Sequence, residues 1–212
     1  MPAVALIDEA QATGQVREIY KRIKDSLGVS RVPNIFQAMG HVPNFLSDML
    51  ENHLKTMGEG ALDRKTKELL AVAVSAVNGC DYCVSVHSVI GKRLGLTDEH
   101  IAEALALTGI MSGHNQLHKF KDNCNDEAFK SLNLGMTESL LKQKSLSDLQ
   151  AELLFVLVST VNGCHTCIRY HVSKAKKAGA THQQFTEALA VMHLLMTYVN
   201  FVKAAGVEID IK

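Results

Sequence analysis

The chain has 212 residues, 47% hydrophobic and 21% charged, which suffices to bury the core of one domain or of two repeated units. Its formal net charge is zero, aromatic residues make up 5% and Trp is absent, so no nucleic-acid partner is expected. Met1-Pro2-Ala3-Val4 lacks the features of a secretory leader and no apolar run of about 18 residues stands out, so a cytoplasmic protein without a membrane partner is the expectation.

In chain order, Val16 to Leu27 has the spacing of an amphipathic helix, followed by a loop at Val32-Pro33-Asn34. His41-Val42-Pro43-Asn44 leads into a second helix from Phe45 to Met57. A third, from about Arg64 to Val77, opens behind Asp63 and closes at Asn78-Gly79. Its Leu, Ala and Val residues are apolar nearly all round, and a length of about fourteen residues favours a buried helix over a strand. The next helix begins near Cys80 and ends by Gly95, and another follows Thr97 with Asp98 and Glu99 in its first turn, where acids suit the helix dipole. His114 to Leu141 is polar and helical in tendency.

Then the pattern starts again. The stretch from Glu68 to His87 returns 84 positions later as Glu152 to His171, with 12 of 20 residues identical. Weaker matches continue through Lys92/Lys176, Gly95/Gly179, Thr97/Thr181 and Glu103/Glu187. Ser145-Leu146-Ser147-Asp148 precedes the copy, and Thr181-His182-Gln183-Gln184 matches a capping box. The expected fold is all-α: a helical leader over 1–60, a first unit over 61–120, and a linking helix with a second unit over 121–212, together one compact domain of two repeats.

The most faithful part of the repeat surrounds the cysteines. On a helix, Cys80, Cys83 and His87 share one face, as do Cys164, Cys167 and His171. Two sulfurs one turn apart can close a disulfide with little backbone movement, and a helix N-terminus stabilises a thiolate. By this argument the first cysteine of each pair is the more acidic. His87 and His171 are placed to take the thiol proton, and Glu68 and Glu152, on largely apolar helices, need a partner that the cysteine–histidine cluster supplies. In a reducing compartment, five cysteines point to redox or metal chemistry. The metal alternative is a zinc-stabilised helical binding protein using the same eight residues as ligands. Cys124, His114, His118 and His193 lie outside the recurring cluster and read as ordinary packing or polar residues, as do Met192 and Met196. Asp81 beside one thiol pair and His165 beside the other predict a more reactive second site.

Glu-x11-Cys-x2-Cys-x3-His, embedded in Ala73-Val74-Ser75-Ala76-Val77-Asn78-Gly79-Cys80, resembles the alkylhydroperoxidase D branch of the carboxymuconolactone decarboxylase-like superfamily. The similarity is specific across 64–113 and 148–197 and looser elsewhere. It implies an AhpD-like all-helical fold built from a duplicated unit, and a homo-oligomer, with a trimer favoured. It also implies a thiol-dependent peroxidase or disulfide reductase in antioxidant defence that uses no cofactor. In that family the second cysteine is peroxidatic and the first resolves it. Carried over, Cys83 and Cys167 attack the hydroperoxide, Cys80 and Cys164 close the disulfide, and Glu68 with His87 and Glu152 with His171 relay the proton. The implied partners are a dithiol reductant, such as a lipoylated adaptor protein, and a peroxiredoxin. Two departures stand out: both units keep the full motif, and Tyr82 and Thr166 precede the second cysteine where the family tends to carry His.

Overall fold

In the computed structural model, which describes residues 2–124, 126–134 and 145–210, the chain is helical and no strand occurs among the described residues. The leader forms α1 (Gly14–Leu27), α2 (Asn34–Met39) and α3 (Pro43–Met57). The first unit supplies α4 (Arg64–Val77), α5 (Asp81–Arg93) and α6 (Asp98–Asn123). A short α7 (Glu127–Lys130) precedes the second unit, α8 (Asp148–Val161), α9 (His165–Lys177) and α10 (His182–Ala205).

The local signals act as they read. Asp63 caps α4 by accepting the Thr66 N–H at 2.9 Å, and Ser147 and Gln150 close a capping box on α8. Each helix then turns sharply at a glycine in the left-handed region, Gly79 at φ 62° and Gly163 at φ 67°, a conformation that costs glycine least. The turn sets Cys80 and Cys164 as the N-caps of α5 and α9.

The apolar helices α4 and α8 lie against each other at the centre and pack on α5, α9, α6 and α10. Ala71, Val72, Ala73 and Val74 are fully buried, as are Leu153, Leu157 and Val158. This explains why α4 is apolar nearly all round: it has neighbours on every side. The units are also tied crosswise. Glu187 of α10 accepts the Ala61 and Leu62 N–H groups ahead of α4, at 2.8 and 2.9 Å, and pairs with buried Lys67 at 3.3 Å. Its counterpart Glu103 of α6 accepts the Ser145 N–H at 2.6 Å and the Leu146 N–H at 3.2 Å ahead of α8.

Three expectations change. The stretch beginning at His114 is not a separate element: α6 continues through it to Asn123 without a break, because no glycine–asparagine stop interrupts it. The rest of that expected stretch includes α7, and residues 135–144 lie outside the described residues. The loop at 32–34 gives way at once to α2, whose six residues are too few to show a period in sequence. Finally, α10 is long and apolar enough to cross a membrane by length and composition. Its apolar side chains Leu194, Leu195 and Val199 are instead buried in the core.

Candidate active site

Both cysteine pairs are closed as disulfides, Cys80–Cys83 and Cys164–Cys167, with Cα atoms 5.4 and 5.3 Å apart. Within each pair, the second residue's backbone N–H donates to the first cysteine's Sγ at 3.3 Å. That donor sits at the positive end of a helix and favours negative charge on Cys80 or Cys164. The cavities open elsewhere: one is lined by Cys83 and the other by Cys167, and neither lining includes Cys80 or Cys164. The acidity argument and the access argument thus select different sulfurs.

The predicted histidine–carboxylate pairs form. His87 Nδ1 meets Glu68 Oε2 at 2.6 Å, and His171 Nδ1 meets Glu152 Oε2 at 2.8 Å. α4 and α8 each bring the carboxylate to the histidine of the following helix, as the cost of a lone buried charge requires. At the first site Glu68 is fully buried, and its Oε1 accepts from Arg64 Nε at 2.7 Å and Nη2 at 2.6 Å. Burial by itself would raise the Glu68 carboxyl. His87, then the Arg64 guanidinium, outweigh that and hold it below the usual carboxylate range. At the second site Asp148 stands where Arg64 stands in the first unit, and the Glu152 side chain is 20% exposed.

Several residues at these sites carry no recurring signal in sequence. Tyr82, between the first two cysteines, donates its hydroxyl to Asp210 Oδ1 at 3.0 Å, and Thr166 at the same place in the copy donates to Asp122 Oδ2 at 2.8 Å. Asp210 also accepts the Asn34 N–H at 2.7 Å, so the chain's last described residues and the leader meet beside the first pair. His53, from α3, lines the first cavity with Cys83 and His87. It is 8% exposed, and its Nδ1 is buried without a hydrogen-bond partner among the described residues. Burial, reinforced by the nearby His87 and Arg64, lowers its pKa to about 4. At the second site, His114 and His118 of α6 line the cavity with Cys167 and His171. Burial lowers the His114 pKa, and His118 and His171 add to the effect. Arg64 lies four residues before Glu68, a spacing that signals an ion pair on one helix face; His53 and His114 come from other helices, and only the tertiary fold brings them in.

Cys124 is free and half-buried, its Sγ donating to the Lys121 carbonyl at 3.6 Å. Asp81 and His165 are both exposed, where solvent screens their effect on the thiols. No group of three or more His, Cys, Asp or Glu side chains is arranged to hold a metal ion among the described residues, so the geometry lends no support to the zinc alternative.

The two cavities differ in size, about 750 Å3 at the first site and about 380 Å3 at the second. The leader helps to wall the first cavity, and the second carries bulkier side chains. Phe155 and Tyr170 flank the His171 ring at 4.9 and 5.0 Å, and their counterparts in the first unit are Ala71 and Val86.

The carboxymuconolactone decarboxylase family profile matches residues 42–120 and 127–207. An alkyl hydroperoxide reductase AhpD from Corynebacterium kroppenstedtii is 26% identical over 96 residues, 45% of this chain and 55% of that protein. The chain thus spans about half the length of this curated relative. The crystal structure of an alkylhydroperoxidase AhpD core from Rhodospirillum rubrum is 33% identical, with a TM-score of 0.55, and covers 61% of this chain and 97% of its own. The debrominase Bmp8, solved with 2,3,4-tribromopyrrole, shares the fold at a TM-score of 0.68 and 14% identity, covering 99% of this chain and 92% of its own.

Proposed function

The chain belongs to the carboxymuconolactone decarboxylase family, and within it we propose that this protein is a thiol-dependent hydroperoxide reductase of the AhpD type with two active sites. One observation carries the reading. Each cavity reaches the second cysteine of a Cys-x-x-Cys pair, beside a histidine held by a carboxylate at 2.6 or 2.8 Å. Access therefore favours Cys83 and Cys167 as the sulfurs that meet substrate, although the helix N-terminus favours charge on Cys80 and Cys164.

In the reduced enzyme, His87 takes the Cys83 proton, and Glu68 supports the imidazolium that forms. The thiolate attacks the terminal peroxide oxygen. An S–O bond forms as the O–O bond breaks, and the departing alkoxide takes the proton to leave as an alcohol. Cys80 then attacks the sulfenic sulfur, expelling its oxygen as water and closing the disulfide. The N–H donated to Cys80 Sγ supports the thiolate that performs this step. Two electrons have left the thiols, and an external dithiol becomes a disulfide in restoring them. His171, Glu152, Cys167 and Cys164 repeat the sequence at the second site. A lipoylated adaptor protein fits the role of dithiol, and a peroxiredoxin that of a further electron acceptor. Assembly as a trimer and a cytoplasmic location complete the proposal.

The test follows cumene hydroperoxide consumption by the protein with dihydrolipoamide as reductant. Turnover is expected, halved or less by Cys83→Ser or Cys167→Ser alone and abolished by both. Turnover that survives the double replacement, or stoichiometric zinc with no peroxide-dependent loss of thiols, overturns the reading.

A further inference from the structure

We propose that His53 is a substrate-binding residue of the first site, donating its imidazole N–H to the departing oxygen of an organic hydroperoxide seated in the 750 Å3 cavity. The inference rests on the peroxidase reading and adds a residue that lies outside the repeated motif.

His53 reaches the cavity from α3, whereas Cys83 and His87 both come from α5. A peroxide held between these helices would meet the attacking sulfur from one and the imidazole from the other. The ring packs edge-on to Tyr198, with centroids 6.0 Å apart. Among the described residues, nothing offers the buried Nδ1 a hydrogen-bond partner. Buried polar atoms are nearly always paired, so an unpaired nitrogen in a residue that lines a cavity points to a partner supplied by a ligand. The other polar groups nearby are already engaged: His87 with Glu68, Arg64 with Glu68 and the Met57 carbonyl, and Tyr198 with the Met49 carbonyl.

The protonation state suits the role. Burial, reinforced by the neighbouring His87 and Arg64, keeps the imidazole neutral at pH 7, despite the opposing pull of Glu68. A neutral imidazole carries one N–H and one lone pair. It cannot compete with His87 for the thiol proton, but it can donate to an oxygen that gains negative charge as the O–O bond breaks. A fixed donor aimed at developing charge favours the transition state over the ground state. Ile35, Phe36 and Ile90 give part of the cavity wall an apolar surface for the organic part of the substrate.

The experiment uses the full chain with Cys164→Ser and Cys167→Ser, so that only the first site reacts. Oxidation of the reduced protein by cumene hydroperoxide is followed as thiol loss, and iodoacetamide alkylation of Cys83 reports thiolate formation and folding. His53→Phe keeps the ring without its nitrogens and is expected to slow oxidation about tenfold or more, with alkylation unchanged. His53→Gln restores an N–H donor and is expected to recover most of the rate. His53→Leu replaces the Phe variant if that protein does not fold. Oxidation of the Phe or Leu variant at the parent's rate overturns the inference and leaves the peroxidase reading intact, as does a Gln variant as slow as the Phe one. A parent that no hydroperoxide oxidises brings down both.

Discussion

The two sites share Glu, Cys, Cys and His at the same spacing, yet they sit in different surroundings. At the first, the carboxylate is fully buried and held by Arg64; at the second, Asp148 occupies that position and the carboxylate is partly exposed. Phe155 and Tyr170 line the smaller second cavity, where the first unit has Ala71 and Val86, and the leader helps to wall the larger first cavity. Tyr198 of α10 lines one cavity, and its counterpart 84 positions earlier, His114 of α6, lines the other. The two units thus keep the same quartet within different walls. One quartet sits beside cavities of two sizes and in two electrostatic settings.

Breaking the charge network should have the largest effect. Glu68→Gln leaves Arg64 without its carboxylate in a mostly buried setting, and is expected to cost about 3–5 kcal/mol in chemical denaturation. Glu152→Gln faces solvent and has no such arginine, so its cost is expected near 1 kcal/mol. Equal losses would show that the two networks are energetically alike. The crosswise ties come next. Burial opposes ionisation of Glu187, but the Leu62 and Ala61 N–H groups, with Gln183 and Lys67, pull its pKa down from 4.5 to about 2. Because the folded value lies below the unfolded one, its contribution is complete above about pH 4.5 and disappears as pH falls from there toward 2. Glu187→Gln is expected to lower stability at pH 7 by about 1–2 kcal/mol and to flatten the acid limb of the stability profile. An unchanged acid limb would remove Glu187 from the account.

The smallest effect concerns cavity shape. Tyr170→Val places the first unit's residue in the second site. It is expected to raise Cys167 oxidation by cumene hydroperoxide about threefold relative to hydrogen peroxide. An unchanged ratio would show that Tyr170 does not set the size limit.

The duplicated core was legible because α4 and α8 carry complete signals: a cap at Asp63 or Ser147, an apolar run, and an Asn-Gly stop. The quartets were legible for a different reason, since a recurring carboxylate on an apolar helix demands a partner and the histidine recurs with it. The elements that escaped are short or tertiary. α2 has too few residues for periodicity, and α6 continues because nothing in the polar stretch after His114 stops a helix. His53 and His114 have no signal of their own; they matter because α3 and α6 cross the cavities. For the choice between the two sulfurs, helix position favours the first cysteine and the family resemblance the second, and cavity access sides with the resemblance.

The central claim is that the second cysteine of each pair meets the peroxide. It is tested most directly by treating the Cys80→Ser/Cys164→Ser protein with cumene hydroperoxide in the presence of dimedone, followed by peptide mass spectrometry. Without the resolving sulfurs, the account predicts dimedone adducts on both Cys83 and Cys167. No adduct on either cysteine, with adducts appearing instead on Cys80 and Cys164 in the converse Cys83→Ser/Cys167→Ser protein, would contradict it.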